Sequence, residues 1–92
     1  MNNALQLRFE GIRRVVGNTP LLAIDLTWRG EPRRIFAKSE ILNMTGSVKD
    51  RMAFHILRRA YERDAIRPGA LIIEATSGNT GIALAMASAV MG

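Results

Sequence analysis

Two of the thirteen basic residues are lysines, Lys38 and Lys49, and the other eleven are arginines. The difference is chemical. A guanidinium keeps its charge throughout the accessible pH range, whereas a primary amine can lose its proton and condense with an aldehyde. Of the two lysines, Lys49 has the more telling surroundings. At ~100° per residue with Val48 at zero, Met52, Ile56, Ala60, Ala53, Leu57 and Tyr61 fall between about 40° and 220°. Arg58, Arg51, Glu62, His55 and Arg59 occupy the complementary arc, from about 280° round to 20°. Lys49 falls near ~100°, in the middle of the apolar arc. Burial there would disfavour the ammonium, and the positive end of the helix dipole would push the same way. The expectation is a neutral amine suited to Schiff-base chemistry. The plainer alternative is a first-turn lysine that lays its stem along the surface and keeps its charge in water.

A second group of residues could bind an anion. Thr76, Ser77 and Thr80 carry hydroxyls, Asn79 carries an amide, and Gly78 and Gly81 let a backbone approach closely. Placed between a strand and a helix, such a loop offers free N–H groups and the positive helix end to a carboxylate or phosphate. The glycine spacing matches neither a P-loop nor a dinucleotide-binding turn. The same composition also suits ordinary turn chemistry, with Asn79 or Thr80 capping the helix.

The elements that must position these groups can be read along the chain. A short helix is expected over Leu5 to Val16, ended by the Gly17-Asn18-Thr19-Pro20 turn. Leu21 to Leu26 and Ile35 to Ser39 read as a strand pair, joined by a loop from Trp28 to Pro32. Leu42 to Gly46 is a loop. Ser47 is the expected N-cap of a helix from Val48 to about Ala65, with Asp50 favouring its first turn. Arg67-Pro68-Gly69 should stop that helix. Leu71 to Ala75 reads as a third strand, with Glu74 near its end. Thr76 to Gly81 forms the loop, and Ile82 to Met91 a helix apolar nearly all round and therefore buried. The order is α/β in class: a β-hairpin, then helix–strand–loop–helix. That last helix has too few partners to cover every side, so Gly92 is not expected to be a natural domain end.

Composition removes several classes of function. Ninety-two residues allow one small domain, and the absence of cysteine with a single histidine argues against a disulfide framework or a zinc site. No segment reads as a signal peptide or a membrane span, so the default compartment is the cytoplasm. The net charge of +5 comes from scattered arginine pairs without interleaved aromatics, a pattern of solvated surface rather than of a nucleic-acid face.

Three segments together carry a family resemblance. Residues Leu42-Asn43-Met44-Thr45-Gly46-Ser47-Val48-Lys49-Asp50-Arg51 are similar to the cofactor-lysine motif of the cysteine synthase and cystathionine β-synthase family. Glu74-Ala75-Thr76-Ser77-Gly78-Asn79-Thr80-Gly81 looks like that family's substrate loop, and Gly17-Asn18-Thr19-Pro20-Leu21 resembles its early signature. The resemblance implies fold type II, the tryptophan synthase β-like architecture, and pyridoxal 5′-phosphate (PLP) as cofactor. It implies that Lys49 holds the cofactor and later moves the α-proton. Asn79 would bond the cofactor's 3′-oxygen, and Thr76, Ser77, Asn79 and Thr80 would form the amino-acid substrate site. The implied reaction is β-replacement on an activated serine, as in cysteine synthase. The implied assembly for a full-length member is a homodimer. Met44 stands where the family commonly has proline, which would loosen the approach to Lys49.

The resemblance also frames what is missing. The family's glycine-rich phosphate loop and the residue facing the pyridine nitrogen lie further along. The expectation is therefore an N-terminal fragment, inactive alone, of a two-domain enzyme. Residues 1–40 would give strands of the large domain and 41–92 the lysine helix and start of the small one. A non-catalytic remnant, or a module that binds a partner through its unfinished apolar surface, is the competing reading.

Overall fold

The computed structural model describes all residues from Met1 to Gly92 and contains three helices and one hairpin. Helix α1 (Asn3–Arg13) starts where the Asn2 side chain accepts from the Leu5 N–H at 2.9 Å. Strands β1 (Leu21–Trp28) and β2 (Glu31–Lys38) pair antiparallel, in a register that sets Ile24 opposite Ile35 and Asp25 opposite Arg34. A single 3₁₀ turn, Glu40–Leu42, leads on to helix α2 (Lys49–Glu62), and helix α3 spans Asn79–Met91.

The hairpin is longer than its expected strands. The loop assigned to residues 28–32 is a two-residue turn, Arg29-Gly30, in which both residues have positive φ (49° and 77°). That geometry matches the right-handed twist of the flanking strands. Pro32 is accommodated because a two-stranded ribbon has no inner strand to need its missing N–H.

The core lies in the helical layer. Leu5, Phe9, Ile12 and Val16 meet Ala53, Leu57 and Tyr61 of α2 and Ala83, Ala87 and Met91 of α3. Phe9 presents its ring edge-on to Phe54 and Tyr61, with centroids 5.8 and 5.7 Å apart. Helices α2 and α3 run the same way. The Gly69 N–H, just beyond α2, donates to the Gly92 carbonyl at the end of α3 (3.1 Å), while Arg8 of α1 donates to the Met91 carbonyl (2.8 Å). The amino ends of α2 and α3 therefore share one end of the layer.

The hairpin packs on none of the helices. Its face bearing Leu22, Ile24, Leu26, Trp28 and Ile35 is exposed. The radius of gyration is 16.9 Å, against about 12 Å for a compact chain of this length, which reflects that projection.

Four expectations are corrected. The third strand, Leu71–Ala75, does not form: the only sheet is β1–β2, and Leu71 and Ile73 are exposed. A strand must share its N–H and C=O groups with a neighbour, and no other strand lies beside it. Helix α3 begins at Asn79 rather than Ile82 and buries a single stripe, Ala83, Ala87 and Met91, because only α1 and α2 flank it. Helix α2 ends at Glu62, before the Arg-Pro-Gly stop. There the Asp64 N–H bonds Tyr61 O, the Ala65 N–H bonds Ala60 O, and Asp64 takes φ 53°, which makes a Schellman cap. Finally, the N-cap of α2 is Val48. Ser47 lies one residue earlier, its hydroxyl accepting from the Lys49 N–H at 3.2 Å.

Candidate active site

Lys49 opens α2 and is exposed. Its expected burial is overturned, and the helical wheel shows why. The covered side of α2 is Ala53, Leu57 and Tyr61, at about 140° to 220°. Val48 and Ile56 are exposed and Met52 is half-buried, so the apolar arc from about 0° to 100° is only partly covered. Lys49 sits within that part. Its amine is accessible and lies on an apolar stripe, at the end of the layer that also holds the start of α3.

Asp50, not Lys49, is the buried charged residue of this helix, with 0% exposure. Its carboxylate turns back instead of stabilising the first turn from outside. One oxygen accepts from the Thr45 N–H at 2.6 Å and the other from the Thr45 hydroxyl. The loop before Lys49 is closed on itself by this contact. The wheel already contained the signal, because Asp50 falls at about 200°, inside the apolar arc.

Arg51 anchors the same turn to the rest of the chain. Its guanidinium forks onto Glu40, Nε to Oε2 at 2.7 Å and Nη2 to Oε1 at 2.9 Å, and Nη2 also donates to the Thr19 hydroxyl at 3.1 Å. The Thr19 hydroxyl donates to Glu40 in turn. Asn43 donates to Glu40 Oε2 at 2.8 Å and accepts from the Gly17 N–H at 2.7 Å. The Arg51 guanidinium, helped by Thr19 and Asn43, pulls the Glu40 carboxyl down to a pKa of about 2. Gly17 is required here, since it has φ +79° and a Cβ would sit 3.1 Å from Arg51 Nη1. This junction joins segments too far apart in sequence for any local pattern to link them. Met44 adds a tie that proline could not make: its N–H donates to Val15 O at 2.9 Å.

The hydroxyl-rich loop is split by the start of α3. Thr76 Oγ1 accepts from the Gly81 N–H at 3.0 Å and the Gly78 N–H at 3.4 Å, so Thr76, rather than Asn79 or Thr80, satisfies the helix start. The N-cap residue, Gly78, has no side chain to do so. A hydroxyl that accepts twice from backbone is left with its own proton free to donate. The N–H groups of Ser77, Asn79 and Thr80 donate to no group of the chain. Ser77 and Asn79 are exposed and Thr80 half-buried. The loop therefore gathers N–H donors, hydroxyls and a helix N-terminus around one accessible point, a set suited to a carboxylate. His55 is exposed, as its place on the polar arc implied, and Glu74 is exposed without ending a strand.

The same fold recurs in known proteins. Residues 12–92 match the family described as pyridoxal-phosphate dependent enzyme, and the chain belongs to that family. Cysteine synthase B of Pseudomonas syringae pv. syringae is 47% identical over 88 residues, covering 96% of this chain and 52% of that protein. Cystathionine beta-synthase of Apis mellifera is also 47% identical, over 88% of this chain and 16% of the relative. A hydrogen sulfide-producing enzyme of Fusobacterium nucleatum superposes with a TM-score of 0.89 at 50% identity, over 95% of this chain and 26% of that one. The chain thus spans about half the length of the first of these relatives, 16% of the second and 26% of the third. The fold is that of a segment of a type II PLP enzyme.

Proposed function

We propose that this chain carries the cofactor-lysine segment and the substrate-carboxylate loop of a PLP-dependent β-replacement enzyme acting on an activated serine, of the cysteine synthase type. The observation that supports it most directly is the shared placement of two chemistries. The only lysine on a helix and a cluster of unpaired N–H and hydroxyl donors lie at the same end of one helical layer.

The residues present fit one end of the cofactor. Lys49 offers a primary amine to its aldehyde, and the exposed Asn79 amide suits the adjacent 3′-oxygen. When bound, the cofactor supplies the electron sink for carbanion chemistry at the amino acid. Lys49 then holds or moves the α-proton. Thr76, Ser77 and Thr80, with the free N–H groups of Ser77, Asn79 and Thr80, bind and orient the substrate carboxylate. Residues 1–40 would contribute to the larger domain and 41–92 to the smaller; the hairpin's separation from the helices favours that assignment for β1 and β2, whereas α1 packs with α2 and α3. The full enzyme would be a cytoplasmic homodimer. No helix of the chain is long and apolar enough to cross a membrane. One observation favours a second reading, an interaction module without catalysis: the hairpin's apolar face is uncovered.

Incubation with PLP, borohydride reduction and peptide mapping test the reading, with circular dichroism to show that the chain is folded. The expected product is a phosphopyridoxyl group on Lys49, with Lys38, which donates to the Thr19 carbonyl, largely unlabelled. A folded chain labelled at Lys38 alone, or not at all, overturns the assignment and leaves the interaction module.

A further inference from the structure

The two residues after Lys49 are the most firmly anchored side chains near it, and they point to different places. Asp50 reaches back to the loop that precedes the helix, and Arg51 reaches across to Glu40 and Thr19 beside the hairpin base. Lys49 itself makes no side-chain hydrogen bond, and its N–H contact to Ser47 is backbone. A free amine thus stands on a turn gripped from two directions. Hydrogen bonds to ionised groups are the stronger kind, and the Arg51–Glu40 contact is a bidentate fork of that kind.

We propose that Asp50 and Arg51 are positioning residues for the Lys49 amine: Asp50 closes the Thr45–Lys49 loop, and Arg51, through Glu40, ties the first turn of α2 to the chain around Thr19. The proposal rests on Lys49 being the cofactor lysine. Its physical content is entropic. An amine on a fixed backbone would condense with the cofactor's aldehyde with little further ordering, whereas the same amine on a frayed turn would have to order the turn first. The two grips do separate work. Loss of the Asp50 contact frees the loop, and loss of the Arg51 fork frees the helix start. Glu40 has three partners, Arg51, Thr19 and Asn43, so the fork draws the Gly17–Pro20 turn and the 3₁₀ turn into one unit with α2.

The test uses the 92-residue chain with PLP as the probe. The ratio of borohydride-trapped label at Lys49 to that at Lys38 is compared in wild type, Asp50→Asn, Arg51→Lys, Arg51→Met, Glu40→Gln and the Glu40→Gln/Arg51→Met double variant. Amide hydrogen exchange over residues 45–52 is measured on each, and circular dichroism confirms folding. Arg51→Met and Glu40→Gln should each lower the ratio on the order of tenfold and the double variant no further, as expected for partners in one network. Arg51→Lys should recover only part of the loss, because it keeps the charge without the fork. Asp50→Asn should accelerate exchange at the Thr45 amide, with a separate fall in the ratio. If wild type labels Lys49 but the variants label it equally while exchange accelerates, the contacts are structural only and the proposal is overturned. If wild type does not label Lys49, the cofactor assignment fails, and the positioning role falls with it.

Discussion

Gly81 lies in the first turn of α3, where alanine would ordinarily help. Replacing a helical glycine by alanine gains about 0.5–1 kcal/mol by limiting the unfolded chain and supplying a better helix former. Here a Cβ on residue 81 would lie 2.5 Å from Thr76 Cγ2, and 3.4 Å from Thr76 Oγ1. The first distance is far inside carbon–carbon contact. The β-branched Thr76 can escape only by turning to another rotamer, and that withdraws Oγ1 from the Gly78 and Gly81 N–H groups. Two exposed hydrogen bonds of about 0.5–1 kcal/mol each are then lost. The balance is a net destabilisation of about 0.5–1 kcal/mol, opposite in sign to the helix-propensity expectation. Thr76→Ser removes Cγ2 and keeps the hydroxyl. In that background Gly81→Ala should stabilise by about 0.5–1 kcal/mol, so the cycle closes with a coupling of roughly 1–2 kcal/mol. Urea unfolding followed by circular dichroism reads the four variants, and a shift of about 1 kcal/mol corresponds to roughly 4–8 °C in a parallel thermal melt. A stabilising Gly81→Ala in the wild-type background would refute the reasoning, since it would mean that Thr76 does not hold the loop.

Asp64→Gly should stabilise the chain by about 0.5–1 kcal/mol in the same unfolding assay, because Asp64 caps α2 at φ 53°, a conformation that glycine adopts without a Cβ penalty. Glu40 has its pKa depressed from 4.5 to about 2 by Arg51, so its stabilising contribution is complete above 4.5 and is lost as pH falls through about 2. The stability difference between wild type and Glu40→Gln should therefore stay level from neutral pH to 4.5 and close only toward 2; closure by pH 4 would show an ordinary carboxyl. Met44→Pro should cost about 0.5–1 kcal/mol in net, since the bond to Val15 O is lost while the stiffer chain offsets part of the loss. Asn43 is already extended (φ −65°, ψ 158°), as a residue before proline must be, so a loss above about 2 kcal/mol would point to a clash elsewhere.

The motif segments, the helix bearing Lys49 and the strand pair are all legible in the linear pattern, because turn residues, apolar period and hydroxyl clusters are local properties. The correction at Lys49 comes from a limit of the same pattern. Periodicity says which face of a helix is apolar but not which part of that face a neighbour covers, and here α3 and α1 cover the side of Ala53, Leu57 and Tyr61 and leave the lysine's side open. Asp50 falls inside the apolar arc of the same wheel, at about 200°. The Thr19–Glu40–Asn43–Arg51 junction had no local signal, since its members are brought together only when α1, the hairpin and α2 take their places.

What the sequence alone determined is the chemistry available: one helical lysine, one hydroxyl-lined turn, and the family to which both belong. Tertiary structure alone decided exposure and anchoring. It left the Lys49 amine open, buried the Asp50 carboxylate, and kept Leu71–Ala75 from becoming a strand. The reason is common to all three. Burial and sheet pairing are properties of two surfaces in contact, and a residue's own stretch of chain specifies only one of them.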